Sequence, residues 1–388
     1  VTITPAFRGV VESPLVEMAT AAEAAAGSIK LCYGEPDLPT PAFIVEAAAA
    51  AARDGHTFYT HTAGTPGLRA AIAAQVHALH GVDYRPEEII ATVGASMAIY
   101  AAIRALVGPG DNAVIISPAY AIFQNDVILA GGEPRLVPLV RAGRRFRLDL
   151  DRLARAFDAR SRLLIVNSPS NPTGWMASDE EQRALVELAD ARGVTILADE
   201  VYERLTYDDR RVAPSLARLV RDRRRLIVVN SFSKTYNMTG WRLGWAQAEA
   251  ATIRAMYRAV EFMTSNPTAF VQQAGIAALR EGEPHVAGLR AHYAARRRDV
   301  LEALAALPGF TVAEPAGAFY VFARVDQAAD SAAWTRRLLE RAGVALAPGT
   351  AFGPGGEGSI RLCFASTEAT IREALARLAA FSASAQGA

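Results

Sequence analysis

From residue 42 onward the chain alternates amphipathic stretches with short, wholly apolar runs. Residues 42–54 (AFIVEAAAAAARD) and 67–79 (GLRAAIAAQVHAL) read as helices, as do 95–107, 119–130 and 178–192. Between them lie 112–117 (NAVIIS), 162–167 (RLLIVN), 194–198 (VTILA) and 226–230 (LIVVN), which are too short for helices and rich in β-branched residues. A strand that is apolar on both faces must be covered on both. The pattern therefore predicts a mostly parallel sheet with helices on each side. Ligands in such folds bind beyond the carboxyl ends of the strands, so the polar residues that follow each run carry the functional information.

The pattern changes near residue 290. Residues 291–306 read as a long helix, and 309–325 (GFTVAEPAGAFYVFARV) alternate as antiparallel strands do. A helix, two short strands (VALAPG and SIRLCF) and a last amphipathic helix follow. The expected fold is α/β, with a large domain over 45–290 and a smaller α+β domain formed by 1–44 and 291–388. A chain of 388 residues is too long for one compact core, which fits two domains.

Composition narrows the field. At 51% hydrophobic and 21% charged, the chain has the make-up of a packed α/β protein rather than a disordered one. A formal charge of +1 gives no bulk attraction to nucleic acid or anionic lipid. The basic clusters at 221–225 and 296–298 read as solvated faces. No run of about 18 uncharged apolar residues suggests a membrane span. The N-terminal VTITPAFRGVV lacks the basic segment and apolar core of a signal peptide, so a cytoplasmic location is expected. Cys32 and Cys363 lie in strand-like runs and read as buried free thiols. The six histidines show no metal-ligand spacing, and no metal is expected.

Four segments at the predicted sheet edge carry chemistry. Ser231-Phe232-Ser233-Lys234 follows the strand LIVVN, with Arg242 eight residues after the lysine in GWRLGW. Hydroxyls plus one planar, permanently charged fork suit a phosphate dianion, and a desolvated amine beside them suits Schiff-base chemistry. Asp199 ends VTILA; a buried carboxylate there can keep a ring nitrogen protonated, although capping a turn is the plainer reading. Glu200 should point the other way along an extended segment. Tyr202 and Asn171, the latter in the turn Asn171-Pro172-Thr173-Gly174, can share a phenolic oxygen. Gly94-Ala95-Ser96 opens a helix whose free N–H groups suit a phosphate, and Tyr120 can stack on a ring. An amine, a phosphate cup, a ring-nitrogen partner and a phenolic-oxygen partner are together what pyridoxal 5'-phosphate (PLP) requires.

In this order and spacing the segments resemble the class I, aspartate-aminotransferase-like group of fold-type I PLP enzymes. The resemblance runs from Gly34-Glu35-Pro36-Asp37 through Tyr59, Gly64 and Gly67-Leu68-Arg69 to Gly317-Ala318-Phe319-Tyr320 and Ile360-Arg361-Leu362. It implies Lys234 as the Schiff-base lysine, Asp199 on the ring nitrogen, and Asn171 and Tyr202 on the phenolic oxygen. Ser231, Ser233 and Arg242, with backbone from Ala95 and Ser96, would form the phosphate cup. Arg361 would grip the substrate α-carboxylate near Gly34. Tyr59 would reach the phosphate of the other subunit, implying a homodimer with shared sites.

Some aspartate-specific members carry a lysine where this chain has Ser96. Apart from Arg8 and His61, no further cation suggests itself for an acidic side chain. The side-chain pocket is expected from Tyr33, Leu38, Ile122, Phe123 and Phe319, which points to a neutral aliphatic or aromatic amino donor. Two rivals share the scaffold: a β-elimination lyase, which needs the same residues, and a PLP-binding regulator without catalysis. The latter usually carries an added DNA-binding domain, for which the 33 residues ahead of Gly34 leave little room.

Overall fold

The computed structural model describes Ile3 and residues 5–385; the ends of the expected small domain at 1, 2, 4 and 386–388 lie outside the described residues. The main sheet comprises β1 (Ile89–Thr92), β2 (Asn112–Ser117), β3 (Glu133–Pro138), β4 (Ser161–Asn167), β5 (Thr195–Asp199), β6 (Leu226–Ser231) and β7 (Gly244–Ala248). Their order across the sheet is β1-β7-β6-β5-β4-β2-β3. Only β7 runs against its neighbours, pairing antiparallel with β1 and β6.

The two-sided burial of the apolar runs is explicit. Val114, Ile116, Leu164, Val166, Ile196, Ala198 and Val228 enter one core cluster, with Leu68 and Ile72 from the helix Pro66–His80. Their neighbours Ala113, Ile115, Leu163, Ile165, Leu197, Ile227 and Val229 enter another, with Ile99 and Ile103 from the helix Gly94–Leu106. Each fully buried aliphatic side chain contributes about 1.5–3 kcal/mol, so a one-residue slip of any strand would be costly on both faces.

A second sheet comprises β8 (Phe310–Val312), β9 (Tyr320–Val325), β10 (Ala347–Pro348) and β11 (Ser359–Cys363), antiparallel in the order β8-β9-β11-β10. The N-terminal segment is stitched to this part of the chain. Ile29–Lys30 pairs parallel with Val344–Ala345, and Met18 and Ala22 are buried against Leu339, Ala345 and Phe352.

Two expected boundaries move. The helix expected at 119–130 spans Ile122–Leu129; ahead of it the Ala119 N–H donates to the Phe352 carbonyl at 2.9 Å. The helix expected from 291 spans Glu283–Ala305. Pro284 sits in its first turn, where the ring is tolerated because that N–H has no helical partner. Gly240–Trp245 reads in sequence as a turn, yet Gly244 begins β7. A Cβ on Gly244 would lie 2.6 Å from Ala95 N and 2.7 Å from Gly94 C, so only glycine lets β7 press against that loop. Among the described residues, no helix is long and apolar enough to cross a membrane.

Candidate active site

The carboxyl ends of β4, β5 and β6 open into a cavity of about 310 Å³. Lys234 lies in the short helix Phe232–Thr235 that follows β6, and its Nζ donates to the Gly34 carbonyl at 2.5 Å. Burial, with Arg361 and Arg242 also nearby, depresses its pKa to about 8. Such an amine is in part neutral near physiological pH and is nucleophilic for that reason. Asp199 ends β5 and is buried; desolvation pushes its carboxyl up to about 7. Its Oδ1 accepts the Val201 N–H at 3.1 Å; among the described residues no cation forms a salt bridge with it, and only the more distant Lys234 charge pulls its pKa back down. The carboxylate is thus short of one positive partner on the cavity side.

Asn167, at the end of β4, holds the neighbouring turn: its Oδ1 accepts the Asn171 N–H at 2.8 Å and its Nδ2 donates to the Asp199 carbonyl at 3.1 Å. Asn171 Oδ1 in turn accepts from Arg361 Nη1 at 2.9 Å, which leaves the Asn171 amide NH₂ for the cavity. Arg361, on β11, is almost fully buried between the rings of Tyr320 and Phe352, 4.5 and 4.8 Å from their centroids. Its Nη2 donates to the Cys32 carbonyl, while its Nε has no partner. A buried guanidinium with an unused N–H is costly unless a ligand satisfies it.

At the other end, Ser231 Oγ accepts the Ser233 N–H at 3.0 Å. Arg242 sits in the left-handed region (φ +53°) and donates Nη1 to the Thr239 carbonyl at 2.7 Å. A Cβ on Gly94 (φ +78°) would stand 2.4 Å from Arg242 Nη2, so this glycine keeps the guanidinium against the start of the helix Gly94–Leu106. Hydroxyls, a guanidinium and the N–H groups of a helix start converge there, a donor set for a phosphate.

All of Gly34, Ala95, Ser96, Tyr120, Asn171, Asp199, Tyr202, Ser231, Ser233, Lys234, Arg242 and Arg361 line the one cavity. Gly94 lies behind it. Tyr59 does not reach it: 89% exposed, it borders a surface depression with Phe58 and Phe270. Of the side-chain pocket candidates only Tyr33 lines the cavity. Phe123 and Phe319 are core residues, Ile122 packs on the helix-covered sheet face, and Leu38 is partly exposed outside the cavity. An aromatic residue beside a motif is recruited by the larger apolar cluster unless its neighbours leave a gap. Leu15, Ile99, Asn167, Val201 and Tyr320 also line the cavity; of these only Tyr320 belongs to a motif visible in the sequence. Arg8 and His61 do not line it.

Glu200 points away from the cavity, as the strand alternation requires. It belongs to a buried group in which one ligand-type atom each from His80, Glu200 and Glu203 lies within 4.8 Å of the others. His80 Nε2 and Glu203 Oε2 are 2.8 Å apart, and Glu200 Oε1 accepts the Leu216 N–H at 3.0 Å. Burial raises Glu200 to about 7. Burial also opposes charge on His80, but the Glu203 carboxylate holds its pKa above the ordinary value. The His80–Glu203 contact joins residues 123 apart and has no local signal in the sequence.

A doubly wound sheet with a lysine, a buried carboxylate and a phosphate-type donor set at its carboxyl edge defines a fold-type I PLP enzyme. The residues fit that cofactor at both ends: Asp199 lacks the positive partner that a protonated ring nitrogen supplies, and the Ser231–Arg242 corner offers a phosphate its donors.

The chain belongs to the aminotransferase class I and II family, whose model matches residues 26–378. It is 37% identical over 360 residues to an aspartate aminotransferase of Geobacillus stearothermophilus, covering 91% of each chain. The solved structure of N-succinyldiaminopimelate aminotransferase from Mycobacterium tuberculosis superposes with a TM-score of 0.93 at 36% identity, covering 98% of this chain and 100% of that one. An aromatic aminotransferase from Pyrococcus horikoshii gives 0.89 at 34% identity, covering 95% and 99%. The protein is a PLP-dependent aminotransferase.

Proposed function

We propose that the enzyme transfers the amino group of a neutral aliphatic or aromatic L-amino acid to a 2-oxo acid. The observation that carries this reading is the charge inventory of the cavity. Its lining cations are Lys234, Arg242 and Arg361, and each already has a role at the amine, the phosphate or the α-carboxylate. Among the described residues of one chain none is left for a second carboxylate, which would need a cation from the partner subunit, and Leu15, Tyr33, Ile99 and Tyr120 add apolar surface.

In this reading PLP, when bound, supplies an electron sink for the substrate Cα. Asp199 accepts a hydrogen bond from the ring N–H and so keeps that nitrogen protonated. Tyr202 and the Asn171 amide donate to the phenolic oxygen. Ser231, Ser233, Arg242 and the backbone of Ala95 and Ser96 bind the phosphate, with Tyr120 against the ring. The remaining Nη–H groups of Arg361 would grip the α-carboxylate beside Gly34, with the guanidinium held in place by the two flanking rings. Lys234 would hold the cofactor, and its amine is placed to move the proton at the substrate Cα as base and then acid. Apart from these roles, we propose the division of the chain into 45–290 and 1–44 plus 291–388. We also propose a cytoplasmic homodimer in which Tyr59 completes the partner's phosphate site; its near-complete exposure in one chain supports that reading.

Relatives named for aspartate make aspartate the competitor to beat. Mixing holoenzyme with each amino acid in turn and following the cofactor's absorbance measures the first half-reaction alone. A neutral amino acid is expected to give the highest kcat/KM; aspartate leading by a wide margin overturns the substrate assignment.

A further inference from the structure

Tyr320 lines the cavity from β9, and its ring carries the Arg361 guanidinium. Its hydroxyl lies 2.8 Å from the Tyr202 hydroxyl. Both phenols are buried, and their rings cross edge to face with centroids 5.7 Å apart. A Cβ on Gly34 would stand 2.2 Å from the Tyr320 hydroxyl, so the glycine is what leaves that hydroxyl its place beside Tyr202.

A hydroxyl has one proton to donate. When Tyr202 donates to the cofactor's phenolic oxygen, it has none left for Tyr320, and the pair stays bonded only if Tyr320 donates to Tyr202. We propose that Tyr320 is a positioning residue, acting through Tyr202 to aim and strengthen the hydrogen bond that Tyr202 gives to the cofactor. The inference rests on the assignment of Tyr202 made above. Hydrogen bonds in series polarise one another, so a Tyr202 that receives a bond is the better donor. A better donor stabilises negative charge on the phenolic oxygen and loosens that oxygen's hold on the proton of the lysine–cofactor linkage. That linkage then titrates at lower pH.

The test is a spectral pH titration of holoenzyme with Tyr320→Phe, Tyr202→Phe and the double variant. Phenylalanine at 320 keeps the ring on which Arg361 lies and removes only the hydroxyl. The charged and titratable groups that face the pair, Asp199, Arg361, Cys363, Tyr120 and Lys234, are the same in every variant. Tyr202→Phe is expected to raise the apparent pKa of the linkage by about one unit, and Tyr320→Phe by roughly a third of that. In the Tyr202→Phe background, Tyr320→Phe should add nothing. Fluorotyrosine at 320, with a more acidic hydroxyl, should move the titration the opposite way and guards against a misfolded Phe variant. A Tyr320→Phe titration equal to wild type, or a shift that persists without the Tyr202 hydroxyl, overturns the relay. If Tyr202→Phe itself leaves the titration unmoved, the assignment of Tyr202 falls and the relay falls with it, so the two failures are told apart.

Discussion

Asp199 and Glu200 are consecutive, buried and both raised to about 7 by desolvation, yet they stand on opposite sides of the sheet edge. Asp199 looks into the cavity with a single N–H partner. Glu200 looks into a closed group with His80, Glu203 and the Leu216 N–H. Burial alone therefore does not mark a catalytic carboxylate. What separates the two is what they face: the rear carboxylate is enclosed by groups of the fold itself, and the front one lines the cavity where a ligand can meet it.

That contrast can be broken by substitution. The largest effect should come from Lys234→Ala on the front side, which removes both the cofactor's covalent anchor and the group that moves the Cα proton. Turnover should fall by about 10⁴-fold or more, and borohydride treatment should no longer fix cofactor to the chain, as read by mass spectrometry. Asp199→Asn should follow, with kcat down by roughly 10²–10³-fold and thermal stability of the apoenzyme little changed. Arg361→Ala should cut kcat/KM by about 10²-fold, mostly through KM, since it removes a charged hydrogen-bonding fork from the substrate.

On the rear side the effects should appear in stability instead. His80→Ala breaks a buried pair and leaves Glu203 uncompensated, which should cost about 3–5 kcal/mol in denaturant unfolding while the cofactor's spectrum is retained. The smallest and most specific effect is on pH dependence. Glu200 titrates near 7 in the folded chain against an ordinary 4.5, so the folded state holds more protons between those values. Its contribution to stability is full below about 4.5 and is lost as pH rises through about 7. Glu200→Gln should flatten that decline in Tm across the window; an unchanged slope would show that Glu200 does not titrate there.

The same contrast explains what could be read in advance. Lys234, Asp199 and Asn171 each follow an apolar run within a few residues, so strand periodicity alone sends them to the sheet edge. Glu200 was assigned to the rear by the same alternation. His80 was not, because Glu203 lies 123 residues away and nothing local pairs a helix end with the turn after β5. Leu15 reaches the cavity from the helix Pro14–Ala24, and Tyr320 from the second sheet, through packing between segments far apart in the chain. Phe123 and Phe319 were misplaced for the converse reason: an aromatic near a motif says nothing about which side has room for it.

The reversed strand β7 bears on the order in which the molecule assembles. β1 sits at the sheet margin with β7 as its ladder partner, so Ile89–Thr92 must wait until Gly244–Ala248 has left the ribosome. Until then the loop at Gly94 has nothing beneath it, and the nascent protein has no finished grip for a phosphate. Such distant pairing is slow to form, so the phosphate corner is finished only after more than half of the chain has been made.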